Sequence, residues 1–388
     1  RLSMNNYNYS HTKHLCNTAQ DVNTYAECCK ILPQSDCESA KKEISQWSGY
    51  AATALIELDD IAAAVGVQSL LYKDESTRFG LGSFKALGGS YAVIHLAEDY
   101  RATHGSLDGF AVATATDGNH GLSVAWGAQS LGLECHIFVH AHVSQARNDA
   151  MSALGAEVHR IDGNYDDSLL ECVETAEKKG WQIVSDTSWA GYESVPVHVM
   201  AGYSVMAAEI INQLDGQIPS HMFIQAGCGG LAGGMLAYLW QFWKEQLPTI
   251  VIVESELSDC VYQSLEAMNI KLVNVTEETV MAGLSCGEVS RIAWPLLRKG
   301  VRHVITIPDD GVVPMMNWLA KPEAAKRPAI EGGECSAASL IALMAAASNN
   351  ELREDIGLNQ QSTVLVIGTE GATDLEFYNS AVNDGQQF

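Results

Sequence analysis

Three short stretches hold the residues that could do chemistry. The first, Gln225-Ala226-Gly227-Cys228-Gly229-Gly230-Leu231-Ala232-Gly233-Gly234, places five glycines within eight residues, between an apolar strand and a helix. Backbone free of side chains closes tightly around an anion. The helix start then adds unpaired N–H groups and the positive end of its dipole. Phosphate is the natural guest. The pattern alone does not separate a nucleotide from another phosphorylated cofactor, or either from a plain tight turn. No acidic residue follows convincingly at the ribose-binding spacing of a dinucleotide site.

The second stretch runs from Lys73-Asp74-Glu75-Ser76 through Gly80-Leu81-Gly82-Ser83-Phe84-Lys85. A lysine just inside a helix start meets the positive dipole end, so Lys85 is expected to have a lowered pKa and to suit Schiff-base chemistry. The plain alternative is a solvated surface lysine. The third stretch, Thr114-Ala115-Thr116-Asp117-Gly118-Asn119-His120-Gly121, is another strand-to-helix junction. Asn119 and the loop amides could hold a carboxylate or flank a planar ring; Asp117 could simply cap the helix.

The elements that must position these stretches alternate. Strands are predicted at 70–74, 110–114, 135–139, 158–161, 182–185, 221–225, 249–254 and 363–368. Helices are predicted at 83–96, 121–131, 144–154, 166–179, 200–214, 233–243 and 335–347. Alternation of this length argues βαβ units and parallel sheets, here in two lobes with a cleft between them. Residues 1–50 read as a polar, irregular arm with a helix near 24–30.

Composition narrows the partners. Across 388 residues the hydrophobic fraction is 47% and the net charge −24, which gives a sizeable core and a field that repels nucleic acid and anionic membranes. The first residue is Arg, with Met4 a candidate start. No leader-like apolar stretch opens the chain, and no run reaches a membrane span. A soluble, cytoplasmic protein is expected. The ten cysteines include an early group (Cys16, Cys28, Cys29, Cys37) without any Cys-x-x-Cys spacing, so free thiols and no metal site are expected.

Together the three stretches resemble the fold-type-II pyridoxal-phosphate enzymes related to tryptophan synthase β and threonine dehydratase. Within that group they resemble the diaminopropionate ammonia-lyases. The likeness continues through Asn164-Tyr165-Asp166-Asp167, Ser185-Asp186-Thr187-Ser188-Trp189, Met281-Ala282-Gly283-Leu284-Ser285-Cys286 and Gly368-Thr369-Glu370-Gly371, in family order over about residues 45–380. It implies an α/β, two-lobe fold with each lobe a mostly parallel sheet flanked by helices. Its domains would be an arm at 1–45, a large cofactor domain from 46–85 and 201–388, and a small substrate-side domain at 86–200.

The resemblance also assigns roles. Lys85 would hold pyridoxal 5'-phosphate as a Schiff base. Gly227, Cys228, Gly229, Gly230, Leu231 and Ala232 would cradle its phosphate, Asn119 would bond its O3′, and Thr369 would sit by the pyridine nitrogen. Asp117 stands where related dehydratases usually carry Ser, and would be a second base; Asp186 is a further catalytic carboxylate. Asp117, Asp186, Thr116 and Tyr165 would meet the amino-acid substrate. The chain departs from the family at Gly82-Ser83, at Ala51-Ala52-Thr53, at Gly332-Gly333-Glu334-Cys335 and at Cys228; none of these removes a catalytic group. The expected reaction is α,β-elimination of 2,3-diaminopropionate to pyruvate and ammonia by a homodimer. A dehydratase of serine, threonine or 3-hydroxyaspartate is the nearest rival. A non-catalytic cofactor-binding or thiol-sensing protein is the rival of another class.

Overall fold

Thr249–Ser255 reads Thr-Ile-Val-Ile-Val-Glu-Ser and Thr363–Gly368 reads Thr-Val-Leu-Val-Ile-Gly. Runs that are apolar on both faces belong inside a parallel sheet covered by helices on both sides. The computed structural model describes residues 7–322 and 327–383 and places both strands there. Its strands are β1 (Lys13–Cys16), β2 (Leu55–Glu57), β3 (Ser69–Asp74), β4 (Ala111–Ala115), β5 (Glu134–His140), β6 (Glu157–Ile161), β7 (Gln182–Ile183), β8 (His221–Gln225), β9 (Thr249–Ser255), β10 (His303–Ile307) and β11 (Thr363–Gly368).

A seven-stranded sheet has the order β1-β10-β9-β8-β11-β3-β2, parallel except for its two edge strands. A four-stranded sheet, β6-β5-β4-β7, is parallel throughout. The α/β, two-sheet expectation is met. The helices around the cleft are α1 (Gln34–Ile44), α2 (Lys85–His104), α3 (Asn119–Leu131), α4 (Gln145–Ala153), α5 (Tyr165–Lys179), α6 (Ser194–Leu214), α7 (Gly230–Trp243) and α8 (Glu334–Ser348).

Several boundaries move for physical reasons. Helix α2 starts at Lys85, not at 83, because Ser83 bridges to Glu370 and the Phe84 N–H donates to the Thr369 carbonyl at 3.0 Å. The end of β11 therefore pins the chain just before the helix. Helix α6 starts six residues before the predicted Met200, with Pro196 in its first turn, where a missing N–H costs nothing. By length and composition α6 could cross a membrane, but 78% of its apolar window is buried against the rest of the protein. It is a core helix.

Residues 7–50 are more ordered than their polarity suggests. β1 adds an antiparallel edge to β10, and α1 packs Cys37, Ala40 and Ile44 into the main core beside Cys28, Cys29 and Leu32. Three of the four early cysteines are thus small core hydrophobes, while Cys16 is exposed.

Candidate active site

In an open parallel sheet, side chains that emerge past the carboxyl ends of the strands meet in a crevice. Here the ends of β4, β8 and β11 and the loop after β7 converge on one cleft. All the residues singled out from the sequence, Lys85, Thr116, Asp117, Asn119, Tyr165, Asp186, Gly227, Cys228, Gly229, Gly230, Leu231 and Thr369, line it except Ala232. Ala232 is buried one residue further into α7.

Lys85 opens α2 and forms an ion pair with Asp186 from the loop after β7. The expected lowering of its pKa does not occur. Burial pulls in that direction, but the Asp186 carboxylate outweighs it and holds the ammonium well above the usual lysine range. A dipole end of about half a charge does not compete with a full charge in contact. Asp186 is held well down in turn: burial would raise it, yet Lys85 and His120 overcome that. The His120 ring lies between Val184, whose carbonyl takes Nε2–H at 2.8 Å, and Asp186, 4.0 Å from Nδ1. A lysine flanked this way is held in place and supplied with a proton acceptor.

The glycine loop leaves β8 at Gln225 and enters α7 at Gly230. A Cβ at Gly227 would stand 2.7 Å from the Gly283 carbonyl oxygen. One at Gly229, where φ is +89°, would stand 2.7 Å from Leu297 Cδ1. These two glycines are therefore required by close approach and by backbone conformation. The first-turn N–H groups of α7 have no intrahelical acceptor, and no side chain caps them. Gln225 locks the loop's base: its Nε2 reaches the Cys335 carbonyl at 2.8 Å and Thr369 Oγ1 at 3.2 Å, and its Oε1 accepts from Ser339 at 3.0 Å.

In the β4–α3 loop, Thr116 does the capping that Asp117 could have done. Thr116 Oγ1 accepts the N–H groups of Gly118 and Gly121 at 3.0 and 3.1 Å. Asp117 is thereby released to the cleft, where its Oδ1 lies 2.9 Å from His140 Nε2. Asn119, the first residue of α3, donates to Glu370 Oε2 at 2.5 Å. Tyr165 opens α5 behind an Asn164–Asp167 capping box, which fixes its entry into the cleft.

Sequence reasoning missed the residues that hold these groups. Glu370 bridges Asn119 and the Cys335 N–H, and the buried Glu334 beside it is pushed up to about 8 by burial and by Glu370. His140, His120, Arg147 and Tyr203 were not singled out either, though all but His140 line the cleft. One signal was available: a polar residue closing an apolar strand, as His140 closes Ile-Phe-Val-His. The charged part of the second stretch is structural. Lys73, Glu75 and Arg78 are buried with Glu209 of α6, Lys73 Nζ at 2.7 Å and Arg78 Nη1 at 2.9 Å from its carboxylate. A lone Glu in the apolar stretch Met-Ala-Ala-Glu-Ile-Ile was the clue to that network.

The donor set fits a phosphorylated aldehyde on a planar ring. The glycine loop and the uncapped start of α7 can take an anion, and Lys85, Asn119 and Thr369 line the same cleft. Known proteins agree. Residues 47–370 match the family model described as pyridoxal-phosphate dependent enzyme. The chain is 38% identical over 376 residues to the diaminopropionate ammonia-lyase of Escherichia coli (strain K12), covering 93% of this chain and 94% of that one. It is 35% identical over 361 residues to the enzyme of the same name from Salmonella typhimurium (strain LT2), covering 87% and 89%. The crystal structure of the Escherichia coli enzyme in complex with an aminoacrylate-PLP azomethine reaction intermediate superposes with a TM-score of 0.89 at 37% identity, covering 98% of this chain and 99% of that one. The cofactor is therefore pyridoxal 5'-phosphate, and the chain belongs to the pyridoxal-phosphate-dependent enzyme family.

Proposed function

We propose that the chain eliminates ammonia from 2,3-diaminopropionate, which with water gives pyruvate and two molecules of ammonia. The carrying observation is the pair of carboxylates at one cleft, Asp117 held by His140 and Asp186 held by Lys85. A substrate with an extra ammonium group finds an acid for it, whereas a hydroxyamino acid needs only one.

When bound, pyridoxal phosphate draws electron density from the Cα of an amino acid joined to it, making the Cα–H acidic and the β-amine able to leave. The chain's residues supply the rest. Gly227 to Ala232 would hold the phosphate through backbone N–H groups, Asn119 would bond the ring oxygen, and the neutral Thr369 hydroxyl would be the partner of the ring nitrogen. Lys85 Nζ anchors the cofactor and carries a proton, with Asp186 as the partner that holds that proton. Asp117 reaches the cleft from a different element than Lys85, so the two provide bases for Cα–H bonds of either configuration. Thr116 and Tyr165 shape the substrate side.

Further support concerns setting. All ten cysteines are free thiols, as in a reducing cytoplasm. Cys228 is pushed well above the usual thiol range by Cys286 beside it and by burial, which suits an inert thiol and not a sensor. The four-stranded sheet falls wholly inside 86–200, which favours that span as the small domain. A homodimer is the assembly proposed; light scattering on the purified protein tests this.

The deciding experiment is pyruvate release from D- and L-diaminopropionate against serine, threonine and 3-hydroxyaspartate. Faster turnover of a hydroxyamino acid would make the chain a dehydratase. A visible absorbance band without any turnover would make it a binding protein.

A further inference from the structure

Away from the cleft, β5 and the edge strand β6 place four ionisable side chains on one face of the small sheet. His136 pairs in register with Glu157, and Phe138 with His159. Alternation along each strand puts Glu134, His136, Glu157 and His159 on the same side. His136 Nδ1 is 3.1 Å from His159 Nε2 and 3.5 Å from Glu157 Oε2, and His159 Nε2 is 3.7 Å from Glu157 Oε1. In a tetrahedral zinc site with Zn–N near 2.05 Å, neighbouring ligand atoms stand about 3.3 Å apart. The separation of the two imidazoles, and that of each imidazole from one of the two Glu157 oxygens, bracket that value.

The orientation of the rings is an independent observation. Glu134 Oε1 takes the other ring nitrogen of His136, Nε2, at 2.6 Å. That bond fixes the tautomer and leaves Nδ1 as a lone pair facing the other two groups, which is the carboxylate–histidine arrangement that supports a metal-bound imidazole. Trp181 stacks flat on His136 at 3.6 Å between centroids, and Phe138 stacks on His159 at 4.7 Å. His136 is buried, whereas His159 is partly open and Glu157 is 68% exposed, so an ion can enter from solvent. Loose surface carboxylates do not come with two oriented imidazoles.

We propose that His136, His159 and Glu157 form a binding site for a first-row divalent ion of the zinc class, with water as the fourth ligand. The ion takes the place of the hydrogen that His159 Nε2 shares with His136 Nδ1; that hydrogen moves to His159 Nδ1, so the two neutral imidazoles bind the ion without net proton release. It ties the edge strand β6 to β5 and lies outside the catalytic cleft, on the strand that ends at His140.

The test uses the holoenzyme stripped of metal by chelator, titrated with Zn²⁺ in a calorimeter and with Co²⁺ in a spectrophotometer. One ion should bind, with the same heat in buffers of different ionisation enthalpy. Co²⁺ should give the visible bands of a nitrogen- and oxygen-ligated tetrahedral site. His159→Ala should remove the bands, and Glu157→Gln, a change of an exposed side chain that leaves the fold alone, should weaken binding. Glu134→Gln should weaken it roughly 10-fold or more, the usual scale for an orienting partner. Pyruvate release should be unchanged in all three. Equal binding by wild type and His159→Ala, a thiolate charge-transfer band pointing to the cysteines, or no binding at all would overturn the site.

Discussion

The Asp117 carboxylate, in the loop after β4, and the His140 imidazole, at the end of β5, are joined Oδ1 to Nε2 at 2.9 Å, although the residues stand 23 apart in the chain. The contact holds Asp117 off the helix end and turned toward the cleft. It also raises the His140 pKa: the hydrogen bond and charge of Asp117 outweigh burial. The carboxylate thus shifts His140 toward its imidazolium form relative to a free histidine.

Asp117→Asn keeps size and most hydrogen bonding but removes the base. Elimination of one enantiomer of diaminopropionate should fall by roughly 10²-fold or more, and that of the other far less. Pyruvate release from each enantiomer measures this. In the same variant the His140 titration, followed by NMR, should move down toward the ordinary histidine range. Equal loss for both enantiomers would reduce Asp117 to a binding or shaping role.

How much of this was legible depends on the distance over which each interaction acts. The glycine loop, Lys85 and Asp117, which meet at one cleft, are visible in the sequence because the features that mark them are local: a turn, a helix start, a strand end. The interior strands β8 and β11 match their predicted bounds because burial on both faces imposes an unbroken apolar run. What supports the site is not local. Glu370 meets Asn119 across 251 residues, and Glu209 meets Lys73 across 136. The pKa of Lys85 was misjudged for the same reason. Its helix position was visible, but Asp186, 101 residues away, was not placed against it. β1, four residues of mixed polarity at a sheet edge, carries no periodic signal at all.

Lys85→Met should abolish borohydride-fixed attachment of the cofactor and all elimination. It also leaves Asp186 without its main countercharge in a mostly buried position. Breaking such a pair costs about 3–5 kcal/mol when fully buried, and less here because both side chains keep some exposure. A thermal melt should show the single variant destabilised and Lys85→Met/Asp186→Asn largely recovered. A fixed adduct on the variant would mean that another lysine holds the cofactor.

The early cysteines separate into two kinds. Serine at Cys16, which is exposed, should change nothing. Serine at Cys29 or Cys37, both 2% exposed or less, puts a hydroxyl into apolar surroundings at about 1–3 kcal/mol if unpaired. Circular-dichroism melts should rank the variants in that order, with turnover per folded molecule within a few-fold of wild type. Loss of activity that zinc restores would instead make this group a metal site.

Glu334 gives the chain a pH-dependent stability. Burial, with Glu370 beside it, raises its folded pKa to about 8 from an ordinary 4.5. Between those values the folded state binds more protons than the unfolded one, so unfolding free energy must fall as pH rises. Stability from this group is complete below about 4.5 and is lost through about 8. Glu254, buried and also raised to about 8 by burial, adds a second contribution of the same sign. One proton corresponds to a slope of at most about 1.4 kcal/mol per pH unit. Glu334→Gln keeps the neutral shape and removes one of the two protons. Urea melts from pH 5 to 8 should therefore show a shallower decline than wild type, with the gap widest at the alkaline end. Parallel curves for the two proteins would mean that Glu334 is ionised in the fold and paired in another way.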